Sequence, residues 1–361
     1  MNSPSSNPKF VGRGAGINPP NRFEKVRVEE DIEHLDPADE LPNEQRLPTV
    51  FLPNESRRLI AENDSPDVPF RYSINPYRGC EHGCAYCYAR PGHETLGMNA
   101  GLDFETRILV KFDAPELLRS ELADSAWRAD TITLSGVTDC YQPAERRFRL
   151  TRGCLEVMLE ACQPMGIITK NALVARDLDL LSPLAAQRLV HVYLSVTTLD
   201  PALARALEPR TATPQAKLRV VKELSSAGVP VGVMVAPIIP GLNDQEIPAV
   251  LAAAREAGAS SAGFVLLRLP FAVRPIFEDW LHRSYPEKAD RVLALIRSTR
   301  NGRLNDPNWG SRMRGQGAYA EQIAQTFKVF AKKHGLDRPL PPLDNSRFRP
   351  PKLHGGQLRL F

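Results

Sequence analysis

Hydrophobic and polar positions divide the chain into three stretches. Through residues 1–69 no apolar period is sustained, because prolines, asparagines and acidic residues break every short run, and 29–44 is particularly acidic. This pattern predicts an extended or partly disordered lead-in, with a short strand around 49–52. From 70 to 270, strand-type apolar runs alternate with segments of helical period. Strands are predicted at 70–75, 131–135, 166–170, 190–196, 229–236 and 263–269. Helices are predicted at 114–123, 151–163, 178–189, 199–207 and 214–227, and from a cap at Asn243 or Asp244 to 257. Leu155, Met158, Leu159 and Cys162 share one face of the second of these. Leu218, Val221 and Leu224 share a face of 214–227, and Gly228 stands where that helix ends. After 270 the alternation stops. Helices are predicted at 287–298 and 319–333, the latter striped by Tyr319, Ile323, Phe327 and Phe330. The last part, 339–361, is rich in proline and arginine and is predicted to run over the surface.

About six strand–helix alternations predict an α/β domain with a parallel sheet, since parallel neighbours need a crossover connection. The pattern alone allows a closed or partly closed barrel, or an open doubly wound sheet. No glycine-rich phosphate loop follows the first strand. Its place is taken by Arg78-Gly79-Cys80-Glu81-His82-Gly83-Cys84-Ala85-Tyr86-Cys87-Tyr88.

Composition narrows the class. With 361 residues, 42% hydrophobic and 24% charged, the chain has the make-up of a soluble globular protein. No apolar run reaches the roughly 18 residues of a membrane span, and 1–20 lacks the apolar centre of a signal peptide. Six cysteines, three of them clustered, suit a reduced cytoplasmic protein better than a disulfide scaffold. The net charge of +4 is unevenly placed: residues 310–361 carry ten Lys and Arg against three Asp and Glu, leaving 36 against 39 elsewhere. A basic tail on a slightly acidic body points to an anionic partner such as nucleic acid, or simply to a solvated tail.

The cysteine loop carries the chemistry. Cys80, Cys84 and Cys87 are spaced so that glycines at 79 and 83 let the backbone turn three sulfurs toward one centre. Zinc is one reading, but a structural zinc site wants four ligands in two pairs, and the second pair is missing unless His82 or His93 supplies a ligand. The other reading is a cubic iron–sulfur cluster on three thiolates, with one iron left without a protein ligand.

The pattern Cys80-x3-Cys84-x-Tyr86-Cys87 resembles the signature of the radical S-adenosylmethionine (SAM) superfamily. The resemblance covers residues 70–270 and implies a partial (β/α)6 barrel of TIM type, with its site at the strand C-termini. The chain then divides into an N-terminal segment (1–69), this core (70–270), and a helical extension with a basic tail (271–361). The resemblance also implies a 4Fe-4S cluster whose open iron chelates SAM. Reductive cleavage of SAM to a 5′-deoxyadenosyl radical follows, with electrons from a donor such as flavodoxin or ferredoxin. The stretches 135–145, Glu208-Pro209-Arg210-Thr211 and 236–244 resemble the branch typified by spore photoproduct lyase, the member that repairs a thymine dimer in DNA. A nucleic-acid substrate is the partner this implies.

By the same resemblance the metal ligands are Cys80, Cys84 and Cys87. The cofactor-binding candidates are Tyr86, Ser135, Gly136, Lys170, Ser195 and Arg210. Lys170 is expected at the SAM carboxylate, Ser195 at the ribose, Arg210 gripping a carboxylate, and Ser135 or Asp139 at the amino group. Cys140 is a candidate hydrogen donor to a product radical, or else a small buried hydrophobe. Asp139, Tyr141 and Glu145 are expected to face the substrate, although packing of helix 151–163 on that loop accounts for Glu145 equally well. The rival reading is a non-catalytic, zinc-stabilised nucleic-acid-binding module.

Overall fold

A computed structural model describes residues 9–24, 44–45 and 47–353. The aliphatic runs read above as strands are buried at most positions, as strands covered on both faces must be. Six of them, with a short strand at 60–62 that the sequence pattern did not predict, form the main sheet: β1 (Ile60–Glu62), β2 (Tyr72–Ile74), β3 (Ile132–Leu134), β4 (Met165–Thr169), β5 (Val190–Ser195), β6 (Val231–Ile238) and β7 (Ser261–Leu266). They lie side by side in chain order. Strands β2 to β7 are parallel, and β1 runs antiparallel to β2. A doubly wound sheet reverses its order at a switch point. This one never reverses, which is the order of a (β/α) barrel left open between β1 and β7.

The connections carry helices α1 (Ala114–Leu122), α2 (Leu150–Ala161), α3 (Leu178–Ala186), α4 (Pro201–Leu207), α5 (Pro214–Ser226) and α6 (Ile247–Glu256). Leu155, Met158 and Cys162 of the predicted face are buried in the main core. Beyond β7 come α7 (Val273–Ser284), α8 (Pro286–Ser298) and α9 (Ala318–Lys333). Helix α7 is absent from the sequence expectations, although Val273, Ile276, Phe277, Trp280 and Leu281 form a regular apolar stripe. Pro275 masks it, but in the first helical turn its missing N–H costs no hydrogen bond.

Asn243 does not cap α6. Its amide instead donates to the Thr197 and Pro237 carbonyls and accepts from Ile239 N, tying the end of β6 to the end of β5. The strand expected at 49–52 is present as Val50–Pro53. It joins Arg107–Val110 and Tyr77–Arg78 in a second sheet, which delivers the chain into the cysteine loop. The two flanks of the open barrel are laced together: Asp67 accepts from Gly310 N at 2.6 Å and pairs with Arg312, while Ser65 accepts from Arg312 Nη2 at 2.5 Å. The acidic stretch up to residue 43 and the tail from 354 lie outside the described residues.

Candidate active site

The cysteine loop lies against the C-terminal ends of β3, β4 and β5, and its backbone is held from several directions. Gly79 and Gly83 take φ of +85° and +67°, the left-handed turns that fold the loop. The Gln142 side chain straddles Cys80: Oε1 accepts from Glu81 N at 2.9 Å and Nε2 donates to the Gly79 carbonyl at 3.0 Å. Fully buried Arg90 donates Nε and Nη2 to the Cys84 carbonyl at 3.1 and 2.8 Å, and pairs with buried Glu105 at 2.5 Å. Glu105 in turn accepts from Gly14 N and Ala15 N. The N-terminal segment therefore passes directly over the loop, so close that a side chain at Gly14 would strike the Gly83 carbonyl.

Burial raises all three thiols, Cys80 most clearly, and for Cys80 the neighbouring Asp139, Cys87 and Cys84 add to the effect. Lys170 acts in the opposite sense on Cys84 and Cys87, as Arg90 does on Cys87. A largely buried thiol triad of this kind is stabilised as thiolates by metal charge among the sulfurs. Among the described residues no three His, Cys, Asp or Glu side chains group as ligands of a single metal ion. Both histidines proposed as a fourth zinc ligand are otherwise engaged. His82 accepts at Nε2 from the Asn171 amide at 3.0 Å and faces Asp139 with Nδ1 at 3.5 Å, while His93 Nε2 lies 3.0 Å from the Arg107 carbonyl.

The second half of the site is built around Glu208, which sequence reasoning quoted in a motif without assigning it a role. It is fully buried and takes contacts from five side chains: the Tyr86 hydroxyl, Thr197 Oγ1 at 2.5 Å, Lys217 Nζ at 2.8 Å, Thr211 Oγ1 at 3.2 Å and Lys170 Nζ at 3.3 Å. Burial by itself would raise its pKa, but Lys170 and Lys217 outweigh burial and hold the carboxyl well below the usual range. Lys170 also donates to the Ala236 carbonyl at 2.9 Å and lies 5.6 Å from the Tyr86 ring centroid. Lys170 and Lys217 lower the Cys84 thiol against Glu208, while Asp139 raises the Cys80 thiol, so cationic character is concentrated on the Cys84 side of the loop.

The other expected residues are dispersed around this centre. Ser195 closes β5 and is buried. Ser135 follows β3 at φ +75°, a left-handed conformation that is uncommon for a residue with a Cβ, and its Oγ accepts from Cys140 N at 2.8 Å. The Gly136 carbonyl accepts from the Tyr88 hydroxyl at 3.0 Å, closing the loop after β3 against the cysteine loop. Arg210 is paired with Glu81 at 3.3 Å, and its backbone N–H donates to the His82 carbonyl. Cys140 is 1% exposed in the main core, and its carbonyl accepts from Thr151.

The substrate-facing role expected for Asp139, Tyr141 and Glu145 is not what the structure shows. Asp139 accepts from Tyr141 N, Thr169 Oγ1 and Lys170 N, pinning the loop after β3 to the end of β4. Tyr141 is buried on Asp177. Glu145 is buried, accepts from the Tyr77 hydroxyl and Arg176, and takes the N–H groups of Thr151 and Arg152. It is an anionic cap for α2, the packing alternative already open from the sequence. Polar residues beside a strand end can brace the loop as readily as face a ligand, and neither spacing nor composition separates the two. Gln142 and Arg90 gave no sequence signal.

The family model for the radical SAM superfamily matches residues 74–254. The chain belongs to the radical SAM superfamily. Membership implies a 4Fe-4S cluster and cleavage of SAM. An uncharacterized protein of Mycobacterium tuberculosis is 38% identical over 277 residues, 76% of this chain and 78% of that protein. An uncharacterized protein of Methanocaldococcus jannaschii is 31% identical over 176 residues, 49% of this chain and 63% of that protein. Among solved structures, spore photoproduct lyase complexed with dinucleoside spore photoproduct superposes with a TM-score of 0.58 at 16% identity, covering 79% of each chain. That likeness shows a shared fold. No described helix of this radical SAM protein is long and apolar enough to cross a membrane.

The bracing of the loop yields a first prediction for the radical SAM centre. Gln142→Leu strands the Glu81 N–H and the Gly79 carbonyl in a fully buried place. It should cost about 1–3 kcal/mol and lower cluster loading or activity by roughly 10- to 100-fold. Iron per chain after anaerobic reconstitution, read beside the thermal midpoint, checks it. Gln142→Glu, which keeps the acceptor for Glu81 N–H, should lose less.

Proposed function

We propose that Cys80, Cys84 and Cys87 ligate three irons of a 4Fe-4S cluster and leave the fourth iron to chelate SAM. When bound and reduced, the cluster and SAM together supply a 5′-deoxyadenosyl radical that abstracts a hydrogen from the substrate. The observation that carries this reading is a three-thiol loop, with Cys80 and Cys84 buried and Cys87 half-buried, gripped by its backbone at the C-terminal ends of parallel strands, where barrels place their chemistry. The chain's own contribution is positioning. Arg90 and Gln142 fix the loop, Tyr86 links it to Glu208, and Lys170 supplies a cation for the SAM carboxylate at the end of β4. Ser195 and Arg210 flank that position, and Ser135 and Gly136 line it from the end of β3. The low exposure of Cys80, Cys84 and Glu208 keeps water from the reacting centre.

The substrate we infer is nucleic acid, acted on at a base by repair or modification. The fold shared with spore photoproduct lyase and the basic C-terminal stretch support this. Whether the reaction is of lyase or transferase type depends on the substrate. The same reading calls for a low-potential donor such as flavodoxin or ferredoxin. Six free cysteines suit the reducing cytoplasm.

The experiment adds dithionite and SAM to anaerobically reconstituted protein. Expected are a brown chromophore near about 400 nm, typical of thiolate–iron charge transfer, and formation of 5′-deoxyadenosine. A colourless, zinc-loaded protein that forms none would sink the enzyme reading.

A further inference from the structure

Three arginines on the β7 side of the barrel mouth carry more donor capacity than the protein uses. Arg268 lies two residues beyond β7. Its guanidinium is 5.8 Å from the ring centroid of Tyr88, the residue that follows Cys87 and is half exposed. Arg268 Nε is buried without a hydrogen-bond partner, and Nη1 has the Met313 thioether, a weak acceptor, at 3.7 Å. Arg300, 3% exposed, likewise leaves Nε unpartnered, while its two Nη atoms donate to the Ser311 and Leu267 carbonyls. Arg312 completes the group.

The charges facing them do not balance. Asp67 is held by Arg312 and Gly310 N, and Asp306 by Ser311 Oγ at 2.5 Å and Asn308 N at 2.9 Å. Three guanidiniums against two occupied carboxylates leave excess positive charge. Burial together with Arg312 lowers the pKa of Arg268, and burial together with Arg268 lowers that of Arg300 to about 10. Two buried donors with no acceptor are an unusual cost in a native protein, and an anion with several acceptor oxygens removes it. Arginine forks match the oxygens of a phosphate in pairs. A cavity of about 260 Å³ opens beside the group, lined by Arg300, Arg303, Asn305, Asp306 and Asn308. Exposed Tyr88 and Trp309, the latter next to Gly310, add aromatic faces among the cations, the combination that receives bases together with their backbone.

We propose that Arg268, Arg300 and Arg312 form a receptor for a phosphate ester of the substrate, beside Tyr88 at the end of the cysteine loop. The inference deepens the nucleic-acid reading and rests on it for the identity of the phosphate's owner. Fluorescence anisotropy of a short labelled oligothymidylate on the cluster-loaded protein, without reductant, tests it. Arg268→Gln should weaken binding by roughly ten- to hundredfold and reduce the salt slope by about one. Arg219→Gln, the same charge change on the exposed face of α5, should not. Arg268→Lys should restore the salt dependence but only part of the affinity. Competition by thymidine monophosphate alone would assign the receptor to a nucleotide-sized substrate; competition only by the strand would assign it to a polymer. Oligonucleotide affinity that responds equally to Arg268→Gln and Arg219→Gln overturns the proposal. The two readings fail separately, because binding is read without turnover. A protein that binds through Arg268 yet makes no 5′-deoxyadenosine loses the enzyme reading alone.

Discussion

Cys84→Ala should remove the cluster chromophore and reduce 5′-deoxyadenosine formation to background. The fall should exceed the roughly 10- to 100-fold that outer-shell partners of a metal site are worth, because a ligand itself is lost. The variant isolates the sulfur cleanly. Arg90 grips the Cys84 backbone carbonyl, not its side chain, so the loop keeps its anchor when the thiol is removed. Cys154→Ala is the matching control: that thiol is fully buried in α2 within the main core and should cost packing while keeping the colour. Iron analysis, the visible spectrum and product formation, measured side by side, check both. A Cys84→Ala protein with full colour and turnover would take Cys84 out of the ligand set.

The second large effect is expected at Glu208. Glu208→Ala leaves buried Lys217 and half-buried Lys170 without their common counter-charge and releases Tyr86 from its partner. Breaking a buried pair in this way costs about 3–5 kcal/mol, a large part of a typical domain's stability. Replacing the pair together, as Glu208→Leu with Lys217→Met, should recover much of the loss, since the penalty comes from the unmatched charge. The acid limb gives a further signature. Lys170 and Lys217 depress the Glu208 pKa in the folded state, so the stabilisation is fully present above the unfolded glutamate value of about 4.3. It is lost as pH falls through the lower folded value. Wild type should therefore lose stability on acidification more steeply than Glu208→Gln, which has no such proton to bind. Denaturant midpoints across the acid range measure this, and parallel curves for the two proteins would refute it.

These two positions were not equally legible in the sequence. Cys84 announces itself through spacing, because three ligands within eight residues are a local pattern. Glu208 meets Tyr86 across 122 residues, and no period or spacing encodes such a meeting. The same limit explains Asp139, Tyr141 and Glu145. Their polarity was visible, yet whether a polar side chain turns inward to brace a loop or outward to a ligand depends on what packs against it. Gln142 shows the converse. It is an unremarkable residue by type, and it matters because its amide lies across Cys80 and joins Gly79 to Glu81. Helix α7 was missed for a local reason, a proline near its start that the first turn tolerates.

The sequence by itself determined the strand–helix alternation, the parallel sheet it requires, and a three-cysteine loop of radical SAM spacing at the head of that alternation. All of these are periodicities or short-range spacings, and local backbone preference and burial write such features directly into the chain. Only the tertiary structure decided that the strands keep chain order in an open barrel. It alone showed that Glu208 gathers Tyr86, Thr197, Lys170 and Lys217 beside the loop, that residues 13–15 arch over it, and that Arg268 and Arg300 reach the mouth with donors to spare. Those are meetings between distant segments, fixed by which buried polar groups find partners once the core has closed.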